Sequence, residues 1–313
     1  MERGSFTIRP SGPFSLAEAA MFGFGQRPAA AWDGVMRLAF CLDGYAGQVG
    51  AAIRQDRAGP DRAGDVHCTV HGPAGTDLDV ACEQIMRVLS LDHDGAEFSQ
   101  VGRRDPVIGR LQAAAPGLRP PLFYSPYEAA AWAVLSARRP ARQMMQIRDR
   151  LSRAHGMTFD LAGHVLAALP TPAQLLAVGS FPGIPEDRMR RLHGVAQAAL
   201  EGRLDVPLLR EQGPERAMTG LQAIPGIGPF YSALIVIRGT GFTDVLPTSE
   251  PRVRALATRL YGLASAPGDA EFRALAEPWR PFRTWVAVLI RAAAGRVLDA
   301  PEARPGPAPA GVR

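Results

Sequence analysis

The stretch that decides the reading runs from Leu221 to Arg254, LQAIPGIGPFYSALIVIRGTGFTDVLPTSEPRVR. Just upstream, from Pro214, Met218, Leu221 and Ile224 recur at spacings of three, the apolar stripe of a helix. After Pro229, a residue suited to a first helical turn, Phe230, Ala233, Leu234 and Ile237 follow the i, i+3, i+4, i+7 pattern of a second helix. Gly239 and Gly241 end it. The connection between the helices is Ile224-Pro225-Gly226-Ile227-Gly228. Gly226 and Gly228 can adopt φ > 0 and let another backbone come close. They also leave N–H groups bare at the start of the second helix, a site that suits an anion such as a DNA phosphate. The bland alternative is an ordinary helix-helix corner.

The residues from Leu221 to Arg238 fit L-x-x-(I/L)-P-G-(I/V)-G-x-x-x-A, with Ser232 and Ala233 at the small position. This pattern resembles the helix-hairpin-helix of the DNA glycosylase superfamily that includes endonuclease III. It is more similar to the bacterial 3-methyladenine DNA glycosylase II family. The resemblance extends along nearly the whole chain. Arg87-Val88-Leu89-Ser90-Leu91-Asp92, Pro106 with Gly109-Arg110-Leu111, and Pro116-Gly117-Leu118-Arg119-Pro120 resemble the family's junction between its N-terminal domain and helical body. Tyr127-Glu128 and the segment Pro278-Trp279-Arg280-Pro281-Phe282-Arg283 are similar to further family segments. The resemblance implies an α+β fold: an N-terminal antiparallel sheet with helices, then two helical subdomains flanking a cleft.

Periodicity gives a compatible picture. Residues 1–110 read as a mixed unit, with strands at Phe6-Thr7-Ile8, Met36 to Leu42, Gly47 to Ile53 and Asp65 to His71. Leu78, Cys82, Ile85 and Leu89 mark a helix on that sheet. His67 and His71 alternate with Cys68, which places them on opposite sheet faces and argues against a metal site with Cys82. Residues 111–299 read as a helical body of helix-on-helix packing. Ser125-Pro126-Tyr127-Glu128 and Thr171-Pro172-Ala173-Gln174 have the pattern of capping boxes. Helical stripes follow at Met144, Ile147 and Leu151, at Met189, Leu192 and Ala196, and at Val253, Leu256 and Leu260; a last apolar helix is expected from Trp279 to Ala294. Residues 300–313, rich in Pro and Ala, are expected to be disordered.

Composition narrows the class of partner. The 313 residues carry a net charge of +5, and every one of the 35 basic residues is arginine. With a pI near 9.6 the chain suits a polyanion. Its three cysteines, all before residue 83, are too few and too odd in number for a disulfide framework and fit a reducing compartment. No signal peptide or membrane-spanning run is read, so a cytoplasmic, nucleoid-associated bacterial protein is expected. The resemblance, not the composition, makes double-stranded DNA containing damaged bases the expected partner, met by a monomer without cofactor or metal.

The resemblance also implies a chemistry. Monofunctional members hydrolyse the bond between a damaged base and deoxyribose, with a carboxylate stabilising the cationic sugar and orienting water. The base is first rotated out of the duplex into a pocket. The family's aspartate follows an L-P-x segment; here Leu246-Pro247-Thr248-Ser249-Glu250 puts Glu250 at or beside that position. Glu250 is thus either the catalytic carboxylate or only a first-turn acid favoured by the helix dipole. Bifunctional members use a lysine in the second hairpin helix, where this chain has Phe230 and Tyr231 and no lysine anywhere. The iron–sulfur ligation of the endonuclease III branch is absent, since no cysteine follows Cys82. Pro225, Gly226, Ile227, Gly228 and Ser249 are the DNA-backbone candidates; Ala137 and Arg138, followed by Arg139, stand at the places of the family's wedge, and Arg138 and Arg139 are further DNA-binding candidates. Phe24 and Phe230 stand where the family has base-stacking aromatics, while Leu234 and Arg291 replace others, and Arg291 would repel a cationic base. The competing reading is a catalytically weak or inactive protein of this type that binds damaged or bent DNA; a third is a hairpin used for protein contacts alone.

Overall fold

The computed structural model describes residues 2–22, 32–59, 63–248 and 250–299. The N-terminal part holds β1 (Glu2–Ile8), α1 (Leu16–Phe22), β2 (Met36–Cys41), β3 (Gln48–Gln55), β4 (Val66–Gly72) and α2 (Leu78–Val88). The four strands form one antiparallel sheet in the order β1-β4-β3-β2. Period-two alternation turns Leu38, Phe40, Ala51, Ile53, Val66, Cys68 and Val70 to one face, where Ala81, Ile85 and Val88 of α2 complete a buried cluster. His67 lies on the other face, its imidazole 2.9 Å from Asp56, so Cys68 and the histidines are separated as the alternation predicts.

α3 (Gly95–Arg104) and α4 (Pro106–Ala114) follow. Their Phe98, Val101, Ile108 and Leu111 share a core with Val253, Phe272, Trp279, Trp285 and Leu289 from the far end of the chain. The intervening helices make a second body: α5 (Pro126–Ser136), α6 (Ala141–His155), α7 (Pro172–Leu176), α8 (Glu186–Leu200), α9 (Val206–Leu221) and α10 (Pro229–Gly239). Their core includes Leu135, Ile147, Leu192, Leu221, Ile224 and Ile235. The chain then returns to the first helical body through α11 (Pro251–Leu260), α12 (Asp269–Leu275) and α13 (Arg283–Leu298). Two helical groups therefore face each other, α10 on one side and α11 with α13 on the other.

Several local features depart from the sequence reading. A hairpin, β5 (Thr158–Leu161) and β6 (His164–Ala167), sits between α6 and α7. Its turn is Ala162-Gly163, with both residues at positive φ (51° and 80°). The hairpin packs on the outer face of the first sheet: a Cβ at Gly50 would stand 2.5 Å from the Phe159 ring and 3.0 Å from Leu161. Glu128 does not complete a capping box. Ser125 accepts from the Glu128 N–H at 3.2 Å, but the Glu128 carboxylate turns inward to the Cys41 N–H (3.3 Å) and Arg148 (2.6 Å). At Thr171 both halves of the box are present. The last helix begins at Arg283 rather than Trp279; Glu277–Trp279 is a short 3₁₀ turn, and Pro281, which lacks an N–H, intervenes.

Candidate DNA interface and base pocket

The hairpin is built by two different backbone requirements. Gly226 is in the left-handed region at φ 93°, where a side chain would be strained, and the Arg191 stem passes 3.1 Å from where its Cβ would be. Gly228 is extended (φ −92°, ψ −175°) and caps α10 with no side-chain hydrogen bond. A Cβ there would meet nothing within 4 Å, so glycine is not needed at this position for the fold. What glycine leaves is open space in front of the first turn of α10, whose earliest N–H groups have no intrahelical acceptor. Pro225 and Gly226 are exposed. The Ile227 N–H, by contrast, donates to the Ile224 carbonyl at 3.0 Å, and its side chain is buried. Ile227 therefore anchors the turn, and any anion must be met by the flanking N–H groups.

Arg138 stands at the tip of a turn after α5. Ala137 (φ −52°, ψ 117°), Arg138 (φ 54°) and the Arg139 N–H donating to Ser136 at 3.1 Å make this a type II turn. That turn wants glycine at its third residue; an arginine there is strained by about 1 kcal/mol. Both Arg138 and Arg139 are exposed. Sequence reasoning missed Arg188, which reaches from α8 and donates to the carbonyls of Val134 (3.2 Å), Leu135 and Ala137 (3.1 Å). A cation at the end of α5 satisfies orphan carbonyls and opposes the helix dipole. Burial, then the like charges of Arg139 and Arg191, lower the Arg188 pKa. Its position as i+3 on an amphipathic helix gave no signal beyond an ordinary solvated arginine.

Between α10, α11 and α13 lies a pocket lined by Phe230, Ala233, Leu234, Ile237, Arg238, Pro247, Glu250, Val253, Thr284, Ala287, Val288 and Arg291. Four residues singled out from the sequence, Phe230, Leu234, Glu250 and Arg291, thus converge. Glu250 arrives there because Pro247 and Thr248 turn the chain: its N–H donates to Pro247 at 3.1 Å, and it then caps α11. One carboxylate oxygen accepts from the Arg252 N–H at 3.3 Å; the other accepts from Arg291 at 2.9 Å. The Glu250 side chain is 21% exposed, so it faces the pocket rather than bulk water. Phe230 is 49% exposed at the rim. Asp244, the other nearby carboxylate, is held by Arg283 (2.7 Å) and Arg280 (2.8 Å). Phe24 and Ser249 lie outside the described residues.

Arg238 is a second unforeseen pocket residue. It follows Leu234 by one turn on an otherwise apolar helix, and one guanidinium nitrogen donates to the Pro121 carbonyl. Its Nε is buried without a partner, and the Phe22 ring lies 5.5 Å from the guanidinium carbon. Burial, and secondarily the like charge of Arg291, lower its pKa to about 10, which leaves it charged at neutral pH. Among the described residues, no group of three or more His, Cys, Asp or Glu side chains could hold a metal ion, and no helix is long and apolar enough to cross a membrane.

Comparison with known proteins agrees with this geometry. No protein-family model matches the chain. It is 30% identical over 187 residues to the Escherichia coli DNA-3-methyladenine glycosylase 2, a match covering 58% of this chain and 63% of that one. It is also 30% identical over 218 residues to the Mycobacterium tuberculosis protein described as a probable bifunctional transcriptional activator/DNA repair enzyme AlkA, covering 67% of this chain and 42% of that one. The chain therefore spans only part of the length of these curated relatives. The solved 3-methyladenine DNA-glycosylase from Archaeoglobus fulgidus has the same fold, with a TM-score of 0.68 at 20% identity over 91% of this chain and 96% of that one. A sheet domain, two helical bodies and a hairpin beside their cleft define a helix-hairpin-helix glycosylase fold. Within that fold, the chain is similar in sequence to the 3-methyladenine DNA glycosylase II family.

Proposed function

We propose that this protein is a monofunctional DNA glycosylase of base excision repair, releasing damaged bases, alkylated ones among them, by hydrolysis. The observation that carries the reading is the position of Glu250: a largely enclosed carboxylate in the pocket beside the hairpin. The hairpin N–H groups flanking Ile227 hold a backbone phosphate, and Arg138 enters the space left by the rotated nucleotide. As the C1′–N bond breaks, its electron pair leaves with the base and positive charge develops on the sugar. The Glu250 carboxylate stabilises that charge and takes a proton from the water that adds to C1′. The products are a free base and an abasic site.

No strand cleavage follows unless an N-terminal amine substitutes, because β-elimination through a Schiff base needs an amine nucleophile and the chain has no lysine side chain. The protein acts as a monomer on double-stranded DNA, which in a bacterium places it on the nucleoid.

The test is incubation with methylated duplex DNA. Free 3-methyladenine or 7-methylguanine with intact, alkali-labile strands is the expected product, and borohydride traps no covalent complex. A second reading rests on the Arg291–Glu250 contact, which occupies the carboxylate: a protein that grips damaged DNA without cleaving it. Tight binding to abasic duplexes with no release from any lesion would favour that reading.

A further inference from the structure

The pocket's polar groups are almost all donors. Its walls are mainly aliphatic, from Leu234, Ile237, Val253, Ala287 and Val288, with one aromatic, Phe230, half outside it. The Thr284 hydroxyl is turned away: it donates to the Val245 carbonyl at 3.0 Å and accepts the Val245 N–H at 2.9 Å. That leaves the Arg238 and Arg291 guanidinium groups, which can only donate, and Glu250, which accepts from Arg291. The Arg238 Nε is buried and unpaired. Arg291 also borders a second cavity with Phe22, Arg252 and Arg296, where Glu18 pairs with Arg296 at 2.9 Å. The surroundings of the pocket are thus more positive than negative, and the one carboxylate inside it is neutralised.

A cationic N-alkylpurine gains from stacked π faces or an unpaired anion. Among the described lining residues the one π face, Phe230, is half exposed at the rim and the one anion, Glu250, is paired, while the guanidinium groups of Arg238 and of the 35% exposed Arg291 oppose its charge. A neutral base with exocyclic carbonyl oxygens instead brings acceptors for the N–H groups that Arg238 and Arg291 do not spend on Pro121 and Glu250. We infer that Arg238 and Arg291 make this pocket selective for uncharged, carbonyl-bearing damaged bases over cationic N-alkylpurines, with Arg291 the residue that sets the preference. This rests on the glycosylase reading above and specifies its substrate class.

The experiment compares duplexes carrying hypoxanthine, 8-oxoguanine or 7-methylguanine at one site, scored by kcat/KM for base release. The same lesions on 2′-fluoro sugars, which resist hydrolysis, give affinities. The wild-type protein is expected to favour at least one uncharged base over 7-methylguanine about tenfold or more in both measurements, as expected for a like-charge contact. Arg291→Leu shifts the ratio toward 7-methylguanine by a similar factor, whereas Arg291→Lys, which keeps the charge, preserves it. Taking ratios cancels any common effect of freeing Glu250. A wild-type preference for 7-methylguanine, or a ratio that Arg291→Leu leaves unchanged, would overturn the inference. If no base is released yet the affinities discriminate in the expected sense, the hydrolytic reading fails and the selectivity stands. Equal affinities in a protein that releases no base overturn both.

Discussion

Arg291 donates to Glu250 at 2.9 Å across the pocket, joining the last helix to the N-cap of α11. The carboxylate therefore serves two partners at once, capping α11 and pairing with an arginine, while it lines the pocket. A first-turn acid and the proposed reactive carboxylate need not be alternatives, because the residue that caps α11 also lines the pocket. The contact with Arg291 holds it in one orientation.

The hairpin offers a substitution that separates folding from binding. Gly228 has extended dihedrals and open space at its Cβ. Gly228→Asp puts a preferred capping residue at the start of α10, so thermal stability should hold or rise by up to about 1 kcal/mol. The same carboxylate occupies and repels the phosphate site. Affinity for every duplex, damaged or not, should fall about tenfold or more, as for loss of a charge-assisted hydrogen bond of about 1.5 kcal/mol. Unchanged affinity in a titration at low salt would remove the phosphate role.

Arg138 permits a complementary test, because its backbone strain can be relieved by the same change that removes its side chain. Arg138→Gly relaxes the φ of 54° and should raise stability by up to about 1 kcal/mol. Excision should nevertheless slow, since nothing then fills the gap in the duplex. Unfolding curves and single-turnover release on one preparation make the comparison; release at the wild-type rate would exclude a wedge role.

How much of this was legible is clearest at particular residues. The four long strands came from alternation, and the hairpin from two glycines between apolar stripes, because both signals are local. β5 and β6 were not read: a two-residue turn of this kind calls for Asn-Gly or Asp-Gly, and Ala162 gives no sign that it will take φ 51°. Glu128 looked like half of a capping box because nothing local reveals that Arg148 and the Cys41 N–H wait across the interface. In the pocket, Phe230, Leu234, Glu250 and Arg291 could be named by resemblance, but not their convergence. Arg238 and Arg188 were missed since an arginine's role depends on which carbonyls or cavities its tip reaches.

Glu128 gives a pH dependence unrelated to catalysis. It is almost completely buried, and burial outweighs Arg148 to push its pKa up from 4.5 to about 7. The folded state thus binds a proton that the unfolded chain has released above pH 4.5. The stability this supplies is full below that pH and is lost as pH rises through about 7. Thermal unfolding of the wild type should fall between pH 5 and 8 more steeply than that of Glu128→Gln, whose side chain does not titrate. Parallel curves would show that Glu128 is charged throughout.

The central claim is that Glu250 performs the hydrolysis, and single-turnover base release by wild type and Glu250→Gln tests it most directly. The amide keeps the side chain's size and its acceptor toward the Arg252 N–H while removing the charge. With duplex affinity measured in parallel, release should fall by at least about a hundredfold while binding changes little. Release by Glu250→Gln at the wild-type rate would contradict it and move the reaction to another group.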